Sequence, residues 1–202
     1  MKLFYVPMTR ALRPRWMLEE IGAPYELHRL DIAQREHKGH EYMALHALGR
    51  VPTLVDGTTT IFESAAIVAH LADKFPAADL APPLGTPERA HYYQWLFYAM
   101  TEMDVEVVRY RRHTIRLPEP ERVPAIAEEA RGRYREAATG LARLVGDRPF
   151  VLGGRFQACD IIVASTIALA GMSGLMDGLP PSLAAYAARC TSRPAAQRAL
   201  AD

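Results

Sequence analysis

The chain has 202 residues, half of them hydrophobic and 23% charged, a balance that suits a folded protein with one or two cored domains. With 24 lysines and arginines against 23 aspartates and glutamates the net charge is +1, which excludes bulk electrostatic attraction to nucleic acid or to an anionic membrane. Only two cysteines occur, Cys159 and Cys190, in unrelated contexts; they exclude a disulfide framework and a thiolate metal site, and a reducing cytoplasm is the expected setting.

Residues 3–6 are β-forming and stop at Pro7, so the chain starts as a strand and not as a signal peptide, and no apolar run reaches the roughly 18 residues of a bilayer span. From 11 to 21, Leu12, Trp16, Leu18 and Ile21 recur at helical spacing, Pro14 is tolerated in the first turn, and Gly22 closes the helix. A weaker strand at 25–30 leads into a polar stretch, 31–39, and a short helix at 41–45. His37, His40 and His46 lie in this region without the spacing of a metal pair on one helical face, and they read as solvated or core residues. Two β-branched runs, 51–55 and 59–62, are joined by Asp56-Gly57, which predicts an antiparallel hairpin. Helical spacing returns at 64–75 through Ile67, Val68, Leu71 and Phe75 until Pro76 ends it.

Between Pro76 and Pro87 neither periodicity survives, which marks a boundary. Thr86-Pro87 supplies an N-cap and a first helical position, and the rest reads as helices over 88–113, 121–145, 160–172, 182–190 and 195–200. The expected organisation is a βαβ-ββα domain at 1–76, a linker at 77–86 and an all-helical domain at 87–202, in class α/β plus all-α.

Four segments carry chemistry. Gly49-Arg50-Val51-Pro52-Thr53-Leu54 enters the third strand, where proline makes a cis bend accessible for strand-like pairing with a ligand. Glu63-Ser64 opens a helix whose first N–H groups and partial positive charge suit a carboxylate, with Ser64 able to add a hydroxyl donor. In the turn after the first strand, Thr9 and Arg10 precede a helix. Further on, Gln94-Trp95-Leu96-Phe97-Tyr98 and Phe156-Gln157-Ala158-Cys159-Asp160-Ile161-Ile162 lie in the helical half. Together these segments resemble the soluble glutathione transferases over most of the chain, nearest to the bacterial beta-like and the theta- and zeta-like members, without the beta-class cysteine.

The resemblance implies a thioredoxin-like first domain followed by a helical one, glutathione as co-substrate without a metal, and a detoxifying conjugation with a small hydrophobic electrophile. It implies glutathione contacts at Lys38, Arg50, Val51, Pro52, Glu63 and Ser64, with Asp104 reaching a neighbouring subunit's glutathione in a homodimer. Thr9, aided by Arg10, is the expected thiol activator, with Tyr5 as the alternative. Tyr98, Met103 and Tyr110 are the expected electrophile contacts. With no cysteine in 8–11, cysteine-dependent disulfide exchange is disfavoured. Asp160 sits where relatives keep a structural N-cap aspartate, while Gln157 replaces their serine or threonine and alters the capping box. Two other readings keep the same fold: a glutathione-dependent isomerase or peroxidase, and a non-catalytic binding protein. Nucleic-acid and membrane partners are not expected.

Overall fold

In the computed structural model, which describes residues 1–201, the first strand, β1 (Lys2–Tyr5), turns Leu3 and Tyr5 into the core by the two-residue period of a pleated strand. Its parallel neighbour β2 (Glu26–Arg29) is reached through helix α1 (Leu12–Ile21), the crossover that a parallel pair requires. Gly22, at φ 71°, closes α1 by returning its N–H to Leu18. After a 3-10 turn at Glu36–Lys38 and a one-turn helix α2 (His40–Met43), strands β3 (Thr53–Asp56) and β4 (Thr59–Phe62) form the expected hairpin. Helix α3 (Ser64–Lys74) follows. The sheet order is β2-β1-β3-β4, with β3 antiparallel to both neighbours. Trp16, Met17, Leu18, Ile67, Val68 and Leu71 from the helices close over Leu3 and Leu54 of the sheet. This is the thioredoxin-like arrangement expected for the first domain.

The second unit spans Pro82–Thr191. It opens with α4 (Pro87–Tyr98), where the Thr86 hydroxyl accepts the Arg89 N–H at 3.2 Å. The helix expected over 88–113 runs on, but it widens into π-helical turns at Ala99–Asp104 and Arg112–Arg116 on either side of α5 (Val105–Arg111). Within the first of these Thr101 donates to the Phe97 carbonyl at 3.0 Å, and within the second Thr114 donates to that of Tyr110 at 2.9 Å, a back-bonding that bends helices. Helix α6 (Pro124–Val145) starts three residues later than expected, because Glu119–Glu121 forms a separate 3-10 turn and Pro124 takes the first helical position. Helices α7 (Ala158–Gly171) and α8 (Pro181–Thr191) complete the unit. Asp160, fully buried, accepts from the Val151 and Gln157 N–H groups at 2.9 Å each and from the Tyr186 hydroxyl at 2.6 Å. It ties three segments together despite Gln157.

The helical domain does not extend to the end of the chain as expected. Helix α9 (Pro194–Leu200) belongs to the first unit, Met1–Ala81, and lies on α1. Its small buried residues Ala195, Ala196 and Ala199 allow close approach, and Arg193 clasps Glu20 at 2.6 and 2.8 Å. Periodicity shows that 195–200 is helical; it carries no information on where that helix docks. Among the described residues no helix is long and apolar enough to cross a membrane.

Candidate functional site

Strand register brings three of the four segments to one end of the first unit's sheet. Phe4 is opposite Thr53 and Thr53 is opposite Phe62, so the end of β1, the start of β3 and the end of β4 are neighbours. Tyr5, Pro52 and Glu63 are each the next residue along.

The loop entering β3 is built as a platform. The Val51-Pro52 peptide is cis, as expected. Tyr42 of α2, 4% exposed, donates to the Arg50 carbonyl at 2.5 Å and shares a hydrogen bond of 2.8 Å with the Thr53 hydroxyl. Burial pushes the Tyr42 hydroxyl above its usual pKa, against the opposing bond from Thr53. Lys38 reaches the Leu48 carbonyl at 2.7 Å, and the Leu48 N–H donates to His46 Nδ1 at 3.1 Å. Gly49 stands at φ +53°, and a Cβ there would meet the His37 carbonyl at 2.2 Å, so only glycine fits. Lys38 and Arg50 are exposed beside this loop.

At the opening of α3, Glu63 holds the N-cap position in the sparsely populated region at φ 73°, ψ 115°, with its side chain exposed. Ser64 is already inside the helix and does not cap it. Its hydroxyl, 2% exposed, instead accepts from Arg13 Nη1 of α1 at 3.2 Å, and Arg13 is itself 2% exposed. The Ser64 proton is therefore left to donate, beside a buried positive charge and the first N–H groups of a helix. Arg13, Tyr42 and His46 were given no role from sequence. Arg13 shares a helical face with Trp16 and Met17, and a charge on an otherwise apolar face was the signal available.

In the turn after β1, Thr9 does not cap α1 either, since Ala11 takes that position. The Thr9 hydroxyl donates to the Val6 carbonyl at 2.6 Å and accepts the Ala11 N–H at 3.2 Å. Arg10 follows in the same turn. Tyr5 points to the core at 6% exposure, with the Arg15 guanidinium 5.6 Å from its ring centroid. That is an inward-facing strand position.

The second unit places its expected site residues differently. Asp104 is 3% exposed within a π-helical turn, so its carboxylate is not presented to a neighbouring subunit. Met103 is fully buried. Tyr98 donates to the Ala137 carbonyl of α6 at 2.9 Å, and the Tyr110 hydroxyl accepts from Arg131 of α6 at 3.1 Å. These three side chains hold the helical unit together; among the residues that α4 and its continuation leave outside are Phe97, Thr101, Glu102 and Val105.

Residues 1–73 match the family model described as glutathione S-transferase, N-terminal domain. Glutathione S-transferase GstA of Escherichia coli O157:H7 is 28% identical over 203 aligned positions, covering 99% of this chain and 97% of that protein. Among solved structures, a ternary complex of BphK, a bacterial glutathione S-transferase, superposes with a TM-score of 0.87 at 29% identity, covering 99% and 98% of the two chains. A sphingomonad glutathione S-transferase complexed with glutathione gives 0.84 at 27% identity, covering 99% and 97%.

Proposed function

We propose that the chain, which is similar to glutathione S-transferases over nearly its whole length and whose residues 1–73 match that family's N-terminal domain, activates glutathione for attack on a small hydrophobic electrophile. The observation that carries the reading is the convergence at one sheet end of the Val51-Pro52 loop, the strained Glu63 and the Arg13-supported Ser64. Extended glutathione pairs its cysteinyl backbone with Val51, as an added strand would. Its γ-glutamyl carboxylate takes the Ser64 hydroxyl and the first turn of α3, and its ammonium faces Glu63. The exposed Lys38 and Arg50 serve the glycyl carboxylate.

Thr9 is the group we assign to the sulfur. To donate to a thiolate its hydroxyl must turn from the Val6 carbonyl, giving up about 1 kcal/mol for a charge-assisted bond of about 1.5–3 kcal/mol. The start of α1 and Arg10 add a few tenths to about 1 kcal/mol of favourable potential. The sum, roughly 0.8–3 kcal/mol, brackets the ~1.4 kcal/mol that lowers a thiol pKa by one unit and reaches the ~2.7 that lowers it by two only at its upper end. The thiol proton leaves to solvent, the thiolate forms a C–S bond with the electrophile, and the displaced group departs with the bonding pair. Thiolate absorbance on bound glutathione, titrated in wild type and Thr9→Ala, is expected to show a bound-thiol pKa raised by about one unit in the variant, with binding affinity little changed. Equal pKa values in the two proteins would remove Thr9 from this role. A turnover panel of aryl halides, epoxides, maleyl compounds and peroxides identifies the reaction. The protein is proposed to work as a cytoplasmic homodimer, a dimeric state supported by the exposed apolar side chains of Phe97 and Val105 and read directly by sedimentation velocity.

A further inference from the structure

The loop that carries Arg50, Val51 and Pro52 is pinned at Leu48 from both sides. The Leu48 N–H donates to His46 Nδ1 at 3.1 Å and its carbonyl accepts from Lys38 at 2.7 Å, while the Gly49 N–H returns to the His46 carbonyl at 2.8 Å. The His46 ring is 4% exposed, stacked on Phe62 of β4 with centroids 4.6 Å apart, and 6.4 Å from the ring of Tyr42 in α2. A backbone N–H can only donate, so Nδ1 carries no proton and the ring is the neutral tautomer with its hydrogen on Nε2. A second proton on the ring would set N–H against N–H and break the contact.

We infer that His46 is a positioning residue for glutathione: its neutral imidazole holds the 48–52 loop in the form that pairs with the tripeptide, and protonation releases that loop. The inference rests on the glutathione reading of the Val51 edge. The charged and titratable groups around the ring are Glu63 at the β4–α3 junction, Arg50 on the loop, Lys38 on the 3-10 turn, and Tyr42 of α2, whose hydroxyl is committed to Arg50 and Thr53. Burial pushes the imidazole below its ordinary value of 6.5, Glu63 and a hydrogen bond to the residue's own backbone oppose this, and Arg50 and Lys38 reinforce it. A lowered value means that the held loop excludes the proton. Its stabilisation is complete above 6.5 and is lost as pH falls through the lowered value.

The probe is S-methylglutathione, which has no thiol to titrate, with binding followed by calorimetry between about pH 7.5 and about pH 5. In wild type the dissociation constant is expected to rise about threefold or more across that range, by at most about tenfold per pH unit. His46→Asn keeps an acceptor for the Leu48 N–H but cannot titrate there; it is expected to bind like wild type at the upper pH and to lose most of the acid weakening. His37 and His40 are present in both proteins, so the difference belongs to His46. His46→Phe keeps the stack on Phe62 without the acceptor and is expected to bind about tenfold more weakly at every pH; if it does not fold, the asparagine arm still decides. Equal acid weakening in wild type and His46→Asn, or none in wild type, would overturn the inference while leaving the site reading intact. No binding by wild type at the upper pH would sink both.

Discussion

Arg13 is the residue on which the candidate site turns. A guanidinium at 2% exposure survives only where partners compensate its lost hydration, and one such partner is the Ser64 hydroxyl. Arg13→Met removes the charge while keeping most of the volume, so Ser64 loses its donor and the α3 opening loses a positive neighbour. Glutathione affinity is expected to drop roughly tenfold, the worth of one charge-assisted bond, with the melting temperature measured alongside to separate folding from binding. Ser64 and Glu63 were legible in the sequence because a strand running into a helix announces the helix opening. Arg13 was less so: its place on the apolar face with Trp16 and Met17 was the one sign, and beside Arg15 in the same helix it passes for another solvated charge. Tyr98, Met103, Asp104 and Tyr110, which the resemblance implied, pack within the helical unit instead, and the continuation of α4 that carries three of them departs from the 3.6-residue period at the π-helical turn Ala99–Asp104.

Among the elements, the β3–β4 hairpin is fastened to α3 by a carboxylate. Asp56 accepts from His70 Nε2 at 3.0 Å and from the Lys74 ammonium, and these bonds, Lys74 first and His70 second, hold its pKa below 3.8. The ionised form is favoured by folding, so its contribution is present above the unfolded value and is lost as pH falls through the lowered folded one. Melting temperatures of wild type and Asp56→Asn are therefore expected to differ most above about pH 4 and to converge as the pH is lowered further. A gap that stays constant with pH would show that the ion pair contributes nothing. The hairpin itself was plain from Asp56-Gly57. The fastening was not, because 14 and 18 residues separate Asp56 from its partners and only the fold closes that distance.

At the scale of the molecule, the first unit is discontinuous: Met1–Ala81 is completed by the chain from Ser192 onward. The seam is polar at its edges. Glu20, with 7% of its side chain exposed, takes two bonds from Arg193 and one from Trp16 Nε1 at 2.9 Å; Glu19 takes Arg198 at 2.7 Å; and Arg15 holds the Ala201 carbonyl at 3.0 Å. Arg193→Ala leaves a nearly buried carboxylate with fewer donors and is expected to lower stability by about 1–3 kcal/mol in urea unfolding. An unchanged midpoint would show the clasp to be incidental. Composition and periodicity reported two kinds of region, α/β then helical, and both are present; the return of α9 depends on a surface that does not exist until α1 is folded.

That return sets an order of assembly. A ribosome adding roughly 5–20 residues each second releases β1 to α3 and then needs on the order of ten seconds to make Pro82–Thr191 before α9 appears. Throughout that interval Glu19, Glu20 and the apolar flank of α1 stand uncovered in the nascent chain, so the part made first is the last to be finished.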